Sequence, residues 1–149
     1  MSEFFIANGD VLIRLVVAVG LGMLIGAERH LAHKEAGMKT HALVSMGSAL
    51  FMIVSEAMTA KYINLPGMNP AMIVSQIVVG IGFLGAGSII FQGNRVLGLT
   101  TAGGLWVTAG IGMTVGFGLI GLATATTVLV FFVLVVVNFF EKPLEKISK

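Results

Sequence analysis

The stretch VLIRLVVAVGLGMLIGA at residues 11–27 decides the fold of this chain, because Arg14 is its only charged residue. A transmembrane helix needs about 20 mostly apolar residues, with a rise of about 1.5 Å each. Four more such runs follow. We therefore predict an all-α, polytopic transmembrane helical bundle of about five spans, forming a single transmembrane domain of residues 1–149. The predicted spans are residues 11–27, 40–58, 71–92, 99–117 and 119–140. Glycines at residues 116–121 leave open whether the last two spans form one bent helix.

The composition is that of a chain whose solvent is lipid. Of the 149 residues, 56% are hydrophobic and 11% are charged, and the mean hydropathy is +1.00. Ordinary soluble domains do not need such values. Cysteine is absent and the net charge is only +2. These counts exclude a disulfide framework, a thiolate metal site and the basic patch on which nucleic-acid binding depends.

Basic residues lie mostly on one side of the predicted bundle. The loops after the first and third spans and the C-terminal tail carry most of the lysines and arginines, whereas the opposite side carries only Lys61. Short loops rich in lysine and arginine stay in the cytoplasm. We therefore predict that the N-terminus is outside and the C-terminus is cytoplasmic.

Small residues recur at helical spacing inside the apolar runs. Residues four apart lie on one face of a helix, and glycines on such a face let two helices approach closely in lipid. The predicted packing residues are Gly22, Gly26, Gly80, Gly82, Gly85, Gly87, Gly104 and Gly112. Because the third span has glycines on two sides, we predict that it is the central helix.

Three polar residues are predicted to share one depth in the membrane, namely Arg14, Glu56 and Gln76. A charge at the centre of a membrane helix costs about 2.5–3.5 kcal/mol on insertion scales, so each charged side chain needs a partner. One interpretation is an ion pair between Arg14 and Glu56 with Gln76 beside it. The other is that Arg14 pairs with Asp10 on its own helix, or reaches outward, while Glu56 is solvated. The sequence does not separate these interpretations.

A second polar cluster is predicted at the cytoplasmic ends of the first, second and fourth spans. It comprises Glu28, Arg29, Lys39, Thr40, His41, Asn94, Thr100 and Thr101. One interpretation is a vestibule for an ion, a partner or a proton relay. The other is a solvated loop that follows the positive-inside rule, and composition favours this second interpretation. Because His30 and His33 lack the HExxH spacing and no cysteine supports them, we predict no metal site.

The string GIGFLG at residues 80–85 matches the G-x-G-x-x-G pattern of dinucleotide-binding proteins. It lies inside an apolar span, with no preceding strand and no acidic residue about 20 positions later, so we interpret it as helix packing. No set of Ser, His and Asp and no pair of carboxylates converges at one depth. We therefore predict neither a cofactor nor catalytic activity.

Four sequence blocks resemble the MgtC/SapB family in their order and spacing. They are IGAER at 25–29, AGMKTHALVS at 36–45, GIGFLGAG at 80–87 and GLTTA at 98–102, followed by Trp106. The resemblance runs from about Val11 to Val130 and is to the short form of the family, without the C-terminal soluble domain of some members. Family members can carry a polar residue such as Asn or Asp where this chain has Ser88 and Gly104. Any mechanism that needs a carboxylate at Gly104 fails here.

The resemblance implies a multi-pass protein of the bacterial inner (plasma) membrane that acts in magnesium homeostasis or in acid and low-magnesium stress. Some members are reported to inhibit the F-type ATP synthase, which is therefore a possible partner. The chain itself has no GxxxxGK[ST] string for an ATPase. Besides the lipid bilayer, we expect a homo-oligomer that binds membrane partners. The alternatives are a small-ion or small-solute transporter or channel, and a structural membrane assembly subunit.

Overall fold

The computed structural model describes residues 2–62, 69 and 71–137, and it confirms the predicted all-α membrane helical bundle. The elements in chain order are the helices α1 Ser2–Leu31, α2 Met38–Tyr62 and α3 Ala71–Gly87, the strands β1 Ile90–Gln92 and β2 Arg95–Leu97, the helices α4 Leu99–Gly116 and α5 Ile120–Phe132, and a π-helical turn Val133–Val137. Among the described residues, three helices are long and apolar enough to cross a membrane: Asn8–Leu31, Met38–Tyr62 and Ile120–Val137.

The predicted end of the third span is wrong. α3 stops at Gly87 instead of residue 92, and the chain then forms the antiparallel hairpin β1–β2. The turn of this hairpin contains Gly93 with a φ of 59°, a left-handed conformation that glycine adopts without strain. Apolar residues 89–91 continue the hydrophobic run beyond the helix, and this is why the sequence overestimates its length.

α4 and α5 are separate helices, which answers a question that the sequence leaves open. Gly118 lies between them with a φ of 84°. The N–H of Phe117 donates to the carbonyl oxygen of Met113, and the N–H of Gly118 donates to that of Val115. These bonds satisfy carbonyls in the last turn of α4, as a glycine-terminated helix end does.

α4, and not α3, is the central helix among the described residues. It packs against α1, α2, α3 and α5, whereas α3 buries only Ile81 and Gly85. The prediction of a central third span is therefore wrong. Apart from Ser75 and Gln76, α3 is apolar or glycine on all sides, and apolar surface gives no preference for the protein interior when the solvent is lipid.

Glycines bring α1 and α4 close to α2 from two directions. A Cβ atom added at Gly22 would lie 2.5 Å from the carbonyl oxygen of His41, and one added at Gly26 would lie 2.5 Å from Cα of Met38. A Cβ atom at Gly112 would collide with the carbonyl oxygen of Ser45. At these three predicted packing positions, helix backbones touch.

The other predicted packing glycines make weaker contacts or none within the described chain. An added Cβ atom would lie 3.6 Å from Cβ of Ala102 at Gly85, and 3.4 Å from Cε1 of His41 at Gly104. Added Cβ atoms at Gly80, Gly82 and Gly87 would meet no described atom within 4 Å. For these three the prediction of packing stays a prediction: Gly80 lines the groove between α2 and α3, and Gly87 lines a cleft that Thr101 of α4 also lines.

Candidate functional site

Arg14 joins three helices at one end of the bundle. Its Nη2 donates to Oδ2 of Asp10 at 2.7 Å, and its Nη1 donates to Oε2 of Glu56 at 2.9 Å. Nη1 also donates to the carbonyl oxygen of Gly116, the last residue of α4, at 2.9 Å. We name Asp10, Arg14 and Glu56 the Arg14 cluster. The structure thus places both of the partners that the sequence proposes against one guanidinium group.

Gln76 does not join the Arg14 cluster. α3 turns Ile81 and Gly85 toward the bundle, and Gln76 faces a groove between α2 and α3 instead. The Gln76 side chain is exposed and makes no hydrogen bond to any described residue. The amide points into an apolar groove and has no partner among the described residues.

A second polar cluster lies near the other end of α1, where Glu28 and Arg29 are 7% and 2% exposed. Nε and Nη2 of Arg29 donate to the two carboxylate oxygens of Glu28, with Nη2 and Oε1 2.7 Å apart. Such a bidentate pair is a strong, charge-assisted arrangement. At about 1.5 Å per residue, this pair lies about 22 Å along α1 from Arg14.

His41 links α2 to α4 through a buried hydrogen bond. The His41 side chain is fully buried, and its Nδ1 lies 2.8 Å from Oγ1 of Thr108. The Thr108 hydroxyl donates to the carbonyl oxygen of Gly104 at 2.7 Å. Because a hydroxyl has one proton, Nδ1 of His41 is the donor to Thr108. Glu28 and Arg29 act electrostatically on His41, so we name these four side chains (Glu28, Arg29, His41, Thr108) the His41 cluster.

Four buried polar atoms of the described residues have no hydrogen-bond partner. They are Nη1 of Arg29, Nε2 of His41, Oγ of Ser45 and Oγ of Ser55. Buried polar groups in proteins are nearly always paired. The first two belong to the His41 cluster, and Ser45 follows His41 by one helical turn. These atoms mark positions where water or a ligand atom would complete the hydrogen bonding.

The structure brings together only part of the predicted cytoplasmic cluster. Lys39, Thr40, Asn94 and Thr100 are exposed, whereas Glu28, Arg29, His41 and Thr101 are each buried. Thr108 was not among the predicted site residues. Its signal in the sequence is the row of Thr101, Gly104, Thr108 and Gly112, which share one face of α4 at helical spacing.

An apolar layer separates the Arg14 cluster from the His41 cluster. Ala18, Ile25, Ala49, Ile111 and Val115 fill it, and each is at most 1% exposed. On α1, α2 and α4 these residues lie between the residues of the two clusters. On α2, the buried Ser45, Ser48 and Ser55 lie between His41 and Glu56 as well. The buried side chains of the layer are therefore apolar on α1 and α4, whereas α2 adds uncharged hydroxyl groups.

Two openings lie beside α3. The groove between α2 and α3 has a volume of about 610 Å³ and includes Leu43, Phe51, Ile77 and Leu84 in its apolar walls. A smaller cleft of about 390 Å³ lies between the α1–α2 loop and the facing ends of α3 and α4, with Glu35 and Thr101 in its lining. No group of three or more His, Asp or Glu side chains in the described part of the chain is arranged to hold a metal ion.

Known proteins are similar in sequence to this chain over most of its length. The model of the MgtC family matches residues 15–143. The putative magnesium transporter YhiD of Escherichia coli K12 is 44% identical over 129 residues, which cover 85% of this chain and 60% of that protein. Protein MgtC of Salmonella typhimurium LT2 is 43% identical over 119 residues, 80% of this chain and 48% of that protein. Protein MgtC of Brucella abortus is 40% identical over 127 residues, 85% of this chain and 49% of that protein.

The chain spans between 48% and 60% of the length of these relatives. No solved structure matches it. The family match nevertheless includes Arg29 and His41 of the His41 cluster, as well as all of α2, α3 and α4. The chain belongs to the MgtC family.

Proposed function

We propose that this membrane protein acts in magnesium homeostasis, or in acid and low-magnesium stress, by binding membrane partners and not by catalysis. The observation that carries this proposal is the apolar layer between the Arg14 cluster and the His41 cluster. Ala49 and Val115 are fully buried in that layer. Among the described residues, the buried side chains between the two charged ends are apolar or hydroxylated, and none is charged. The fold is therefore better suited to presenting surfaces than to passing an ion through one chain.

The pairing of the carboxylates in the two clusters supports the same conclusion. Magnesium is bound by oxygen ligands and keeps several of its waters. Glu28 is already paired with Arg29, and Asp10 and Glu56 are already paired with Arg14. The backbone contacts at Gly22 and Gly112 also leave no room for a methyl group. A hydrated ion is larger still, so it cannot pass between the helices at those contacts.

The link to magnesium rests on the relatives, one of which is named a putative magnesium transporter. The proposal includes a multi-pass arrangement in the bacterial inner membrane, with the N-terminus outside and the C-terminus in the cytoplasm. The exposed Lys39 and Arg95 support that orientation, since basic loops favour the cytoplasm. The family resemblance makes the F-type ATP synthase one candidate partner.

Ion or solute transport is the second candidate function. The observation in its favour is the set of buried polar atoms without partners, among them Nη1 of Arg29 and Nε2 of His41. Polar groups inside membrane proteins often mark substrate or ion pathways. Transport would require the apolar layer to open, or a path to form between chains.

Magnesium flux separates the two candidates. The purified chain is placed in liposomes that contain a fluorescent magnesium indicator, and a divalent-cation ionophore gives the maximal signal. We expect the rate of magnesium flux to equal that of protein-free liposomes. A rate well above this background that falls in the His41→Gln variant, but not when the exposed His33 is replaced by Gln, would support transport and contradict the proposal.

Partner capture tests the positive half of the proposal. Tagged chain is crosslinked in bacterial membranes after growth at low and at high magnesium, and captured proteins are quantified by mass spectrometry. We expect a defined membrane protein to be enriched at low magnesium. If only the chain itself is recovered under both conditions, the partner-binding proposal fails.

A further inference from the structure

The groove between α2 and α3 is apolar except for a few small polar groups. Its α3 wall includes Met72, Gln76 and Gly80, and its α2 wall includes Gly47 and Ser48. Added Cβ atoms at Gly47 and Gly80 would meet nothing within 4 Å among the described residues. Both walls therefore expose bare backbone, which lets another helix approach closely in a membrane.

Gln76 makes this groove different from an ordinary lipid-facing surface. It is the sixth residue of α3, about 7–8 Å from the start of the helix at about 1.5 Å per residue. Its amide has two N–H donors and a carbonyl acceptor, and none of them bonds to a described residue. Lipid tails cannot satisfy these groups, and an unpaired polar group in hydrocarbon is costly. No described residue supplies these hydrogen bonds, so an occupant that offers them at this depth would stabilise the groove.

We propose that a second copy of this chain occupies the groove, with its α3 packed along the first α3 and the two Gln76 amides hydrogen-bonded to each other. An amide is self-complementary, because across a two-fold axis the donor of each copy meets the acceptor of the other. Phe83 lies on the same side of α3 as Gln76 by helical spacing and is 79% exposed. It extends the apolar contact beyond the amide pair. This inference goes beyond the proposed function: it rests on α3 lying in the membrane, but it needs neither a role in magnesium homeostasis nor another partner protein.

Disulfide crosslinking tests the geometry, and the absence of native cysteine gives a clean background. In the full chain reconstituted in lipid, Gln76→Cys should form a disulfide-linked dimer on mild oxidation. Ser75→Cys is the matched control, since it lies at nearly the same depth but about 100° around the helix. Equal crosslinking at both positions, or none at Gln76→Cys, would overturn the proposal.

The strength of association tests the amide pair. Energy transfer between labelled copies is measured while the protein is diluted with lipid. We expect the wild-type chain to dimerise, Gln76→Leu to raise the dissociation constant about tenfold, and Gln76→Asn to retain most of the affinity because it keeps the amide. Gly82→Leu, on the same helix but away from the groove, should leave the constant unchanged. A monomeric wild-type chain, or equal dimerisation of wild type and Gln76→Leu, would refute the amide pair.

Discussion

Arg14 ties α1, α2 and α4 together because its guanidinium group has five N–H donors and three acceptors surround it. Asp10 and Glu56 are 73% and 53% exposed, whereas Arg14 is 19% exposed. The arginine is thus the member of the cluster with the fewest alternative partners. Its loss should cost more than the loss of either carboxylate, since each carboxylate variant leaves Arg14 two of its three acceptors.

Two double-mutant cycles measure how strongly Arg14 interacts with Asp10 and with Glu56. We expect Arg14→Met to lower the free energy of unfolding by about 1–3 kcal/mol, and Glu56→Gln and Asp10→Asn by less. The coupling with Arg14 should be about 0.5–1 kcal/mol in both cycles, as is typical of partly exposed pairs. Unfolding in mixed detergent micelles gives the four values of each cycle. A Glu56 cycle that is additive would reduce the cluster to the local Asp10 pair.

The hydrogen bond between His41 and Thr108 should contribute measurably to stability. Thr108→Val keeps the shape of the side chain but leaves Nδ1 of the buried His41 without its partner. We expect a loss of about 1–2 kcal/mol in the free energy of unfolding. Thr124→Val is the control, because the Thr124 hydroxyl is exposed and bonds only to the carbonyl oxygen of Ile120 in its own helix. If both variants lose the same stability, the link between α2 and α4 has no net effect.

Sequence reasoning finds the polar residues of the site but not their pairing. Arg14 can reach Asp10 within its helix and Glu56 across helices, and local spacing cannot show that it contacts both. Thr108 lies in a row of small and hydroxylated residues at helical spacing, but this spacing does not identify it as the partner of His41. Such pairing depends on how α2 and α4 are rotated about their axes, and residue type does not determine that rotation.

At the scale of elements, the length of an apolar run predicts that a helix forms, but it does not predict where that helix lies in the bundle. The third run is the clearest case: α3 forms where the sequence predicts it, but α4 takes the centre. In water, an apolar stripe would identify the buried face. In lipid, an apolar face is equally stable when it faces the bilayer, so glycine contacts decide which helices meet.

Two glycines of α4 differ in how closely α2 approaches them. A Cβ atom at Gly112 would collide with the carbonyl oxygen of Ser45, whereas one at Gly110 would meet nothing within 4 Å. We expect Gly112→Ala to destabilise the bundle by about 1–3 kcal/mol through overpacking. Gly110→Ala should be neutral or stabilising by up to about 1 kcal/mol, because alanine is the better helix former. Thermal unfolding in detergent compares the two, and similar melting temperatures would contradict the close contact of α2 with α4.

At the scale of the whole molecule, the number of membrane crossings decides on which side of the membrane each loop lies. The sequence predicts five spans, and the described helices that meet the length and hydropathy of a span are α1, α2 and the α5 segment. α3 has 17 residues, shorter than the roughly 20 that a bilayer core requires. α4 is rich in glycine and threonine and is shielded by its neighbours, so it does not need strong hydropathy to lie within the bundle.

Reporter fusions at Asn94 distinguish five crossings from three. Asn94 lies in the β1–β2 turn between α3 and α4. With five crossings, α3 and α4 both span the membrane and the turn is cytoplasmic, in agreement with the neighbouring Arg95. With three crossings, α3 and α4 stay together on the outer side, and so does the turn.

A fusion after Lys149 is cytoplasmic in both arrangements and serves as the control. A fusion at Asn64, which lies outside the described residues, should be external in both. We expect a reporter that is active only in the cytoplasm to work at Asn94. Activity there of a reporter that works only outside, with the Lys149 control still cytoplasmic, would reject the five-span arrangement.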